Sequence, residues 1–156
     1  MSAFPGAYLR EIARSLHLSL GAVEYHLDRL THGGLLSCRL HRAKKRYFVA
    51  ADISYGDEVL IASLRQEVPR RILLHLLQHP GAAFRALLDI VTVSKSTLSF
   101  HMKRLVEAGL VREDRDGREK RYTVEKGEKA VELVTKLRGS LMDDAVDSFV
   151  ESWMGL

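Results

Sequence analysis

The chain carries one segment twice. Residues 5–49 align without a gap on residues 80–124, at a constant offset of 75. Pro5-Gly6-Ala7 matches Pro80-Gly81-Ala82, Ser19 matches Ser94, and His26 matches His101. Arg29-Leu30 matches Arg104-Leu105, Gly34-Leu35 matches Gly109-Leu110, and Lys45-Arg46-Tyr47 matches Lys120-Arg121-Tyr122. A spacing held that long marks one supersecondary unit used twice. The 156 residues therefore divide into two small domains rather than one large one. Each can bury only a modest core and has to lean on a neighbour or a partner.

The second copy shows what the unit is. Pro69 fits the first position of a helix over 69–78, whose apolar face is Ile72, Leu73, Leu76 and Leu77. Pro80-Gly81 breaks it. A short helix over 83–91 follows, with Phe84, Leu87 and Leu88 inward. Ser94 is placed to cap the next helix, over 95–108. Leu98, Met102 and Leu105 form its buried stripe, and Gly109 ends it. The period then changes. Residues 110–113 read as a strand, 114–119 as a polar loop around Gly117, and 120–124 as the returning strand. The fold expected is mainly α with small β-hairpin wings: two winged helix-turn-helix domains in tandem plus a C-terminal helix. Their bounds are 1–52, lacking its first helix, and 68–125. A connector helix occupies 53–67, and a helical segment occupies 126–156.

The run Ser94-Lys95-Ser96-Thr97-Leu98-Ser99-Phe100-His101-Met102-Lys103-Arg104-Leu105, followed by Glu107-Ala108-Gly109-Leu110-Val111, resembles the core of prokaryotic winged helix-turn-helix regulators. The ArsR-like and MarR-like groups of archaea and bacteria are the nearest in character. The first copy, from Ser19 through His26 and Leu27 to Gly34-Leu35-Leu36, resembles archaeal members of the same superfamily. The resemblance implies a double-stranded DNA-binding transcriptional regulator. It does not imply metal sensing, because the cysteine pair used by metal-sensing ArsR members is absent.

The chemistry of the repeats suits a polyanion. Net charge is +5 over residues 1–50 and +3 over 80–124, but −1 over 51–79 and −3 over 125–156. Positive charge sits on the repeats and negative charge outside them. In the second copy the helix face opposite the buried stripe offers Lys95, Ser96, Thr97, Ser99, Phe100, His101, Lys103 and Arg104. Short hydroxyls let the backbone approach, the helix N-terminus attracts phosphate, and Lys and Arg reach phosphates or guanine. A plain solvated face would not need hydroxyls followed by bases. The first copy differs at the same positions. It offers Ser19, Gly21, Tyr25 and His26, but Glu24 and Asp28 repel phosphate. Its wing compensates with Arg39, His41, Arg42, Lys44, Lys45 and Arg46. The second wing has Arg112, Arg115, Arg118, Lys120 and Arg121 diluted by four acids. The expectation is a division of labour: the second helix reads sequence and the first wing anchors. His26 and His101 either donate to phosphate or brace helix against wing. Tyr47 and Tyr122 are expected to pack beneath the wings.

The remaining segments are less symmetric. Only four residues precede Pro5. The first copy therefore needs another lid, unless the polypeptide begins upstream. The C-terminal segment is the candidate, with apolar residues recurring at helical spacing and a break expected at Gly139-Ser140. Leu137, Leu141, Val146, Phe149 and Trp153 would cover the first copy or pair with a second chain, giving a homodimer. In the connector, residues 54–57 read as a turn leading into a helix over 58–66. Val59, Leu60, Ala62 and Leu64 would seat that helix between the repeats.

Other classes are poorly supported. Cys38 is the only cysteine, which excludes disulfide frameworks and Cys-rich zinc sites within the chain. No Ser/His/Asp set, phosphate-cradling glycine loop or paired metal-ligand motif stands out, so no enzyme, metal or cofactor is expected. No apolar run is long enough to span a bilayer, and the expected location is cytoplasmic and nucleoid-associated. The alternative of another class is a winged-helix protein–protein adaptor in a chromosome-organising or transcription complex.

Overall fold

The computed structural model describes residues 5–33, 35–49, 55–141 and 143–155. The chain forms two compact units, Met1–Arg65 and Gln66–Leu156.

The first unit runs β1 (Ala7–Tyr8), α1 (Leu9–Leu16), α2 (Leu20–His32), β2 (Leu36–His41), β3 (Lys44–Val49) and α3 (Tyr55–Leu64). The second runs α4 (Glu67–Gln78), β4 (Ala82–Ala83), α5 (Phe84–Val91), α6 (Lys95–Glu107), β5 (Val111–Asp116), β6 (Glu119–Val124), α7 (Gly127–Leu141) and α8 (Asp144–Met154). Five elements, from β1 to β3, recur from β4 to β6 with every boundary displaced by 75. Both sheets are antiparallel, in the orders β1-β3-β2 and β4-β6-β5. Their registers also correspond, Ala7 facing Tyr47 as Ala82 faces Tyr122.

The local causes are visible. Ser19 Oγ accepts from the Ala22 N–H at 3.3 Å, and Ser94 Oγ from the Thr97 N–H at 3.1 Å, fixing the starts of α2 and α6. Leu98, Met102 and Leu105 are buried as the helical period requires, with Leu87 and Val91 of α5. Gly109, at φ +72°, takes the left-handed position just past α6. Tyr47 and Tyr122 are buried under their wings. Burial, with help from the charge and hydrogen bond of Glu113, pushes the Tyr122 phenol up to about 12.

Several expectations need correction. Helix α4 starts at Glu67, so Pro69 sits in its third position, where the missing N–H still costs no helical bond. The second wing is longer and tighter than expected, because β5 and β6 run to Asp116 and Glu119 and leave a two-residue turn. Each hairpin also gains a third strand of two residues, β1 or β4. Helix α3 begins at Tyr55, so residues 55–57 of the expected turn are helical, while Ser54, like Gly34, lies outside the described residues. Helix α7 passes Gly139 to reach Leu141, and α8 starts again behind Asp143. The break therefore lies where Asp143 Oδ1 can accept from the Ala145 N–H at 2.8 Å, not at Gly139-Ser140.

The C-terminal residues pack within the second unit. Ala130, Val134, Leu137, Val146, Phe149 and Val150 are buried, and α8 packs on α7 and α4. Arg70 of α4 donates to Asp143 at 2.6 Å, and Arg138 of α7 pairs with Asp147 and Glu151 of α8. Trp153 stacks on Phe149 but stays half exposed. In the first unit α3 supplies cover. Ile61 lies against Gly6 and Phe48, and Glu58 is buried, accepting from Ser37 and Arg39.

Candidate nucleic-acid interface

Helix α6 presents two opposed faces. Leu98, Met102 and Leu105 point into the core, while Lys95, Ser96, Ser99, Phe100, Lys103 and Arg104 are exposed. Thr97 is half-buried, and its hydroxyl lies 2.8 Å from Ser94 Oγ. Ser96 Oγ is 3.0 Å from the same atom. The cap thus gathers three hydroxyls at the helix N-terminus. Thr97 serves the cap more than the outer face. Ser96, Ser99 and Lys95 remain for a ligand, and Lys95 has no ion pair among the described residues.

The aromatic position is repeated. Phe100 is exposed, meets the His101 ring edge-on at 5.3 Å, and lies 5.4 Å beneath the Arg104 guanidinium. Tyr25, His26 and Arg29 make the same arrangement at 5.4 and 5.7 Å. A guanidinium over a ring gains from the ring quadrupole and is held in one place. Arg29 was not among the expected binding residues, although its offset from Arg104 could have revealed it. His26 is exposed and His101 half-buried, so the two equivalent histidines differ in access.

The wings differ in how their cations are used. In the second, Lys120 pairs with Glu113 at 3.0 Å, Arg121 with Glu119 at 2.9 Å, and Arg112 with Asp114 at 2.9 Å. On α6, Lys103 approaches Glu107 at 3.8 Å. Arg118, at the turn, is exposed with no ion pair among the described residues. In the first wing Arg42, Lys44 and Lys45 are exposed, and Lys44 Nζ stands 5.2 Å above the Tyr8 ring. Arg39 is exposed but bonded to the buried Glu58 at 2.8 Å.

Arg46 requires a correction. It is 6% exposed, and its Nη1 donates to the Gly6 carbonyl at 2.7 Å. Burial pushes its pKa down, partly opposed by Glu11 and Tyr8. A guanidinium so placed ties β3 to the start of β1 and is withdrawn from the wing surface. Arg121 is its counterpart and reaches the Gly81 carbonyl at 3.5 Å. Ser19 is likewise occupied as a cap, while Gly21 has open space around it and leaves room for close approach. Helix α2 also exposes Glu24 and Asp28.

Among the described residues no group of three or more His, Cys, Asp or Glu could hold a metal ion, and no helix is long and apolar enough to cross a membrane.

Residues 64–114 match a family model described as a helix-turn-helix domain. Over 113 residues the chain is 26% identical to an uncharacterized HTH-type transcriptional regulator of Methanocaldococcus jannaschii. The alignment covers 72% of this chain and 28% of that relative, so the chain spans little more than a quarter of the relative's length. Among solved structures it is similar to the transcriptional repressor BigR from Xylella fastidiosa, with a TM-score of 0.47 and 23% identity over 54% of this chain and 84% of that one. It is also similar to reduced HlyU from Vibrio cholerae, with a TM-score of 0.46 and 26% identity over 53% and 87%. The family match falls on α4, β4, α5, α6 and most of β5, and over these residues the chain is similar to helix-turn-helix domains.

Proposed function

We propose that the protein is a double-stranded DNA-binding transcriptional regulator that divides its contacts between its two units. The observation that carries this is the outer face of α6: a capped N-terminus with Lys95, Ser96 and Ser99, then Phe100, Lys103 and Arg104, on a helix whose other side is core. Hydroxyls and an open helix N-terminus suit close backbone approach. Lysine and arginine suit phosphate and guanine, and an exposed phenyl ring suits the thymine methyl. In the first unit the wing tip of Arg42, Lys44 and Lys45 supplies non-specific attraction, because α2 offers acids where α6 offers bases. The second wing contributes less, its cations being largely balanced by carboxylates within the hairpin.

The test is selection of bound genomic fragments with purified protein, followed by a salt titration. A recurrent motif is expected, weakened by Ser99→Ala and Phe100→Ala. Replacing Lys44 and Lys45 together by alanine is expected to flatten the log–log salt slope by about 2 while leaving the motif unchanged. An unchanged slope would remove the anchoring role from the first wing. The exposed Glu24 and Asp28 on α2 favour a second function for the first unit alone, that of an adaptor for another protein. Failure to enrich any DNA would favour it for the whole chain.

A further inference from the structure

The exact internal correspondence makes the second unit a template for the first. In the second unit α4 packs on α5, α6 and β6. Its inward residues Ile72, Leu73, Leu76 and Leu77 are buried, as are Val91, Leu105 and Leu110 below. Among the described residues of the first unit, no helix equivalent to α4 precedes β1. Helix α3 covers the end near Gly6 and Phe48, through Ile61. The other end, over α1 and α2, is open. Leu16, Leu30 and Leu35 are 58%, 37% and 63% exposed, whereas their counterparts Val91, Leu105 and Leu110 are 3%, 2% and 9% exposed. Two of these pairs are leucine against leucine and the third is leucine against valine, so apolar residues at the same register differ in what covers them. Between α1 and α2 a cavity of about 190 Å³ is lined by Ile12, Leu16, Leu18, Val23, Leu27 and Leu30.

We infer that this groove is a vacant helix seat, and that it takes an amphipathic helix of α4's pattern from a partner polypeptide. The second unit shows which shape fits: two turns of helix with leucine or isoleucine at i, i+1, i+4 and i+5, as in Ile72, Leu73, Leu76 and Leu77. An apolar stripe laid into a groove between two helices is the helix-in-groove mode of peptide recognition. Exposed leucines clustered around a cavity are costly to leave wet, and such clusters mark interaction sites rather than ordinary surface. The inference rests on the apolar lining of the groove, although His26, a candidate contact of the outer face of α2, borders it as well.

The probe is a helix-stabilised, fluorescent peptide with the sequence of residues 66–79, titrated against the full chain. Saturable binding is expected, weakened tenfold or more by Leu16→Asp or Leu30→Asp, and absent for a scrambled peptide. Both leucines are exposed, so the variants should keep the native circular dichroism and melting temperature. If a variant loses its fold, Leu35→Asp with chemical-shift mapping of the α1–α2 face gives the same decision. Binding that ignores these substitutions, or no binding, overturns the inference. So does a chain that forms dimers which Leu16→Asp dissociates, since the occupant is then a second copy of the same face.

Discussion

Arginine at one repeat position shows how far a residue's role depends on its surroundings. Arg46 and Arg121 both reach the carbonyl of the glycine 40 residues earlier, Arg46 at 2.7 Å and Arg121 at 3.5 Å. Arg46 is buried and stands 5.7 Å from the Tyr8 ring, whereas Arg121 is part-exposed and also paired with Glu119. A hydrogen bond from a charged donor to a buried acceptor contributes more than an exposed ion pair. Arg46→Ala is therefore expected to lower stability by about 1–3 kcal/mol, and Arg121→Ala by less than about 1 kcal/mol, in denaturant titrations. Equal losses would show that the shared contact, not its burial, sets the energy. Composition could not have separated the two, because a Lys-Arg run in a hairpin reads as surface charge whichever member turns inward. The same applies to Glu58, an ordinary acidic residue of the connector whose burial depends on Ser37 and Arg39 meeting it from β2.

Elements were legible where their period was long enough to repeat. Helix α6 and its stripe followed from Leu98, Met102 and Leu105, and its ends from Ser94 and Gly109. Strands β1 and β4 were not legible, since two residues cannot display an alternation and their pairing is set by β3 and β6. The helical content of the C-terminal segment was readable, but its docking was not. Docking depends on Arg70, which is far away in sequence and meets Asp143 in the fold. Burial pushes the Asp143 carboxyl up, but the Ala145 N–H and the Arg70 guanidinium outweigh it and hold it below its ordinary value. A carboxyl depressed in the folded state gives up less stability until the pH falls through that lowered value. The contribution is complete above about pH 4, where the unfolded chain also ionises, and is lost on further acidification. Trp153, the single tryptophan, sits at the far end of α8 and reports the change. Acid titration of its fluorescence is expected to show α8 loosening below about pH 4, and Asp143→Asn should remove most of that transition. A Trp153 signal that titrates equally in the variant would place the acid sensitivity elsewhere.

At the scale of the molecule, a homodimer through α8 is a proposal that the exposed end of the helix makes testable. Its inner face is used within the second unit, through Val146, Phe149 and Val150, while Trp153 and Met154 remain exposed. A homodimer formed through the C-terminal helix would have to use this end. Trp153→Ser is then expected to halve the sedimenting mass without changing the melting temperature by more than a few degrees. Deletion of the whole helix would be uninformative, because it opens the core. The repeated unit also has a consequence for how the chain folds. In both units the closing contact, strand to strand and arginine to glycine carbonyl, spans the same 40 residues. The entropy lost in closing that loop is therefore the same for both. Any difference in how fast the shared five-element segment closes comes from its side chains and from the flanking helices, α3 in one unit and α4, α7 and α8 in the other. One polypeptide thus holds two loops of equal length whose closure is driven by different packing.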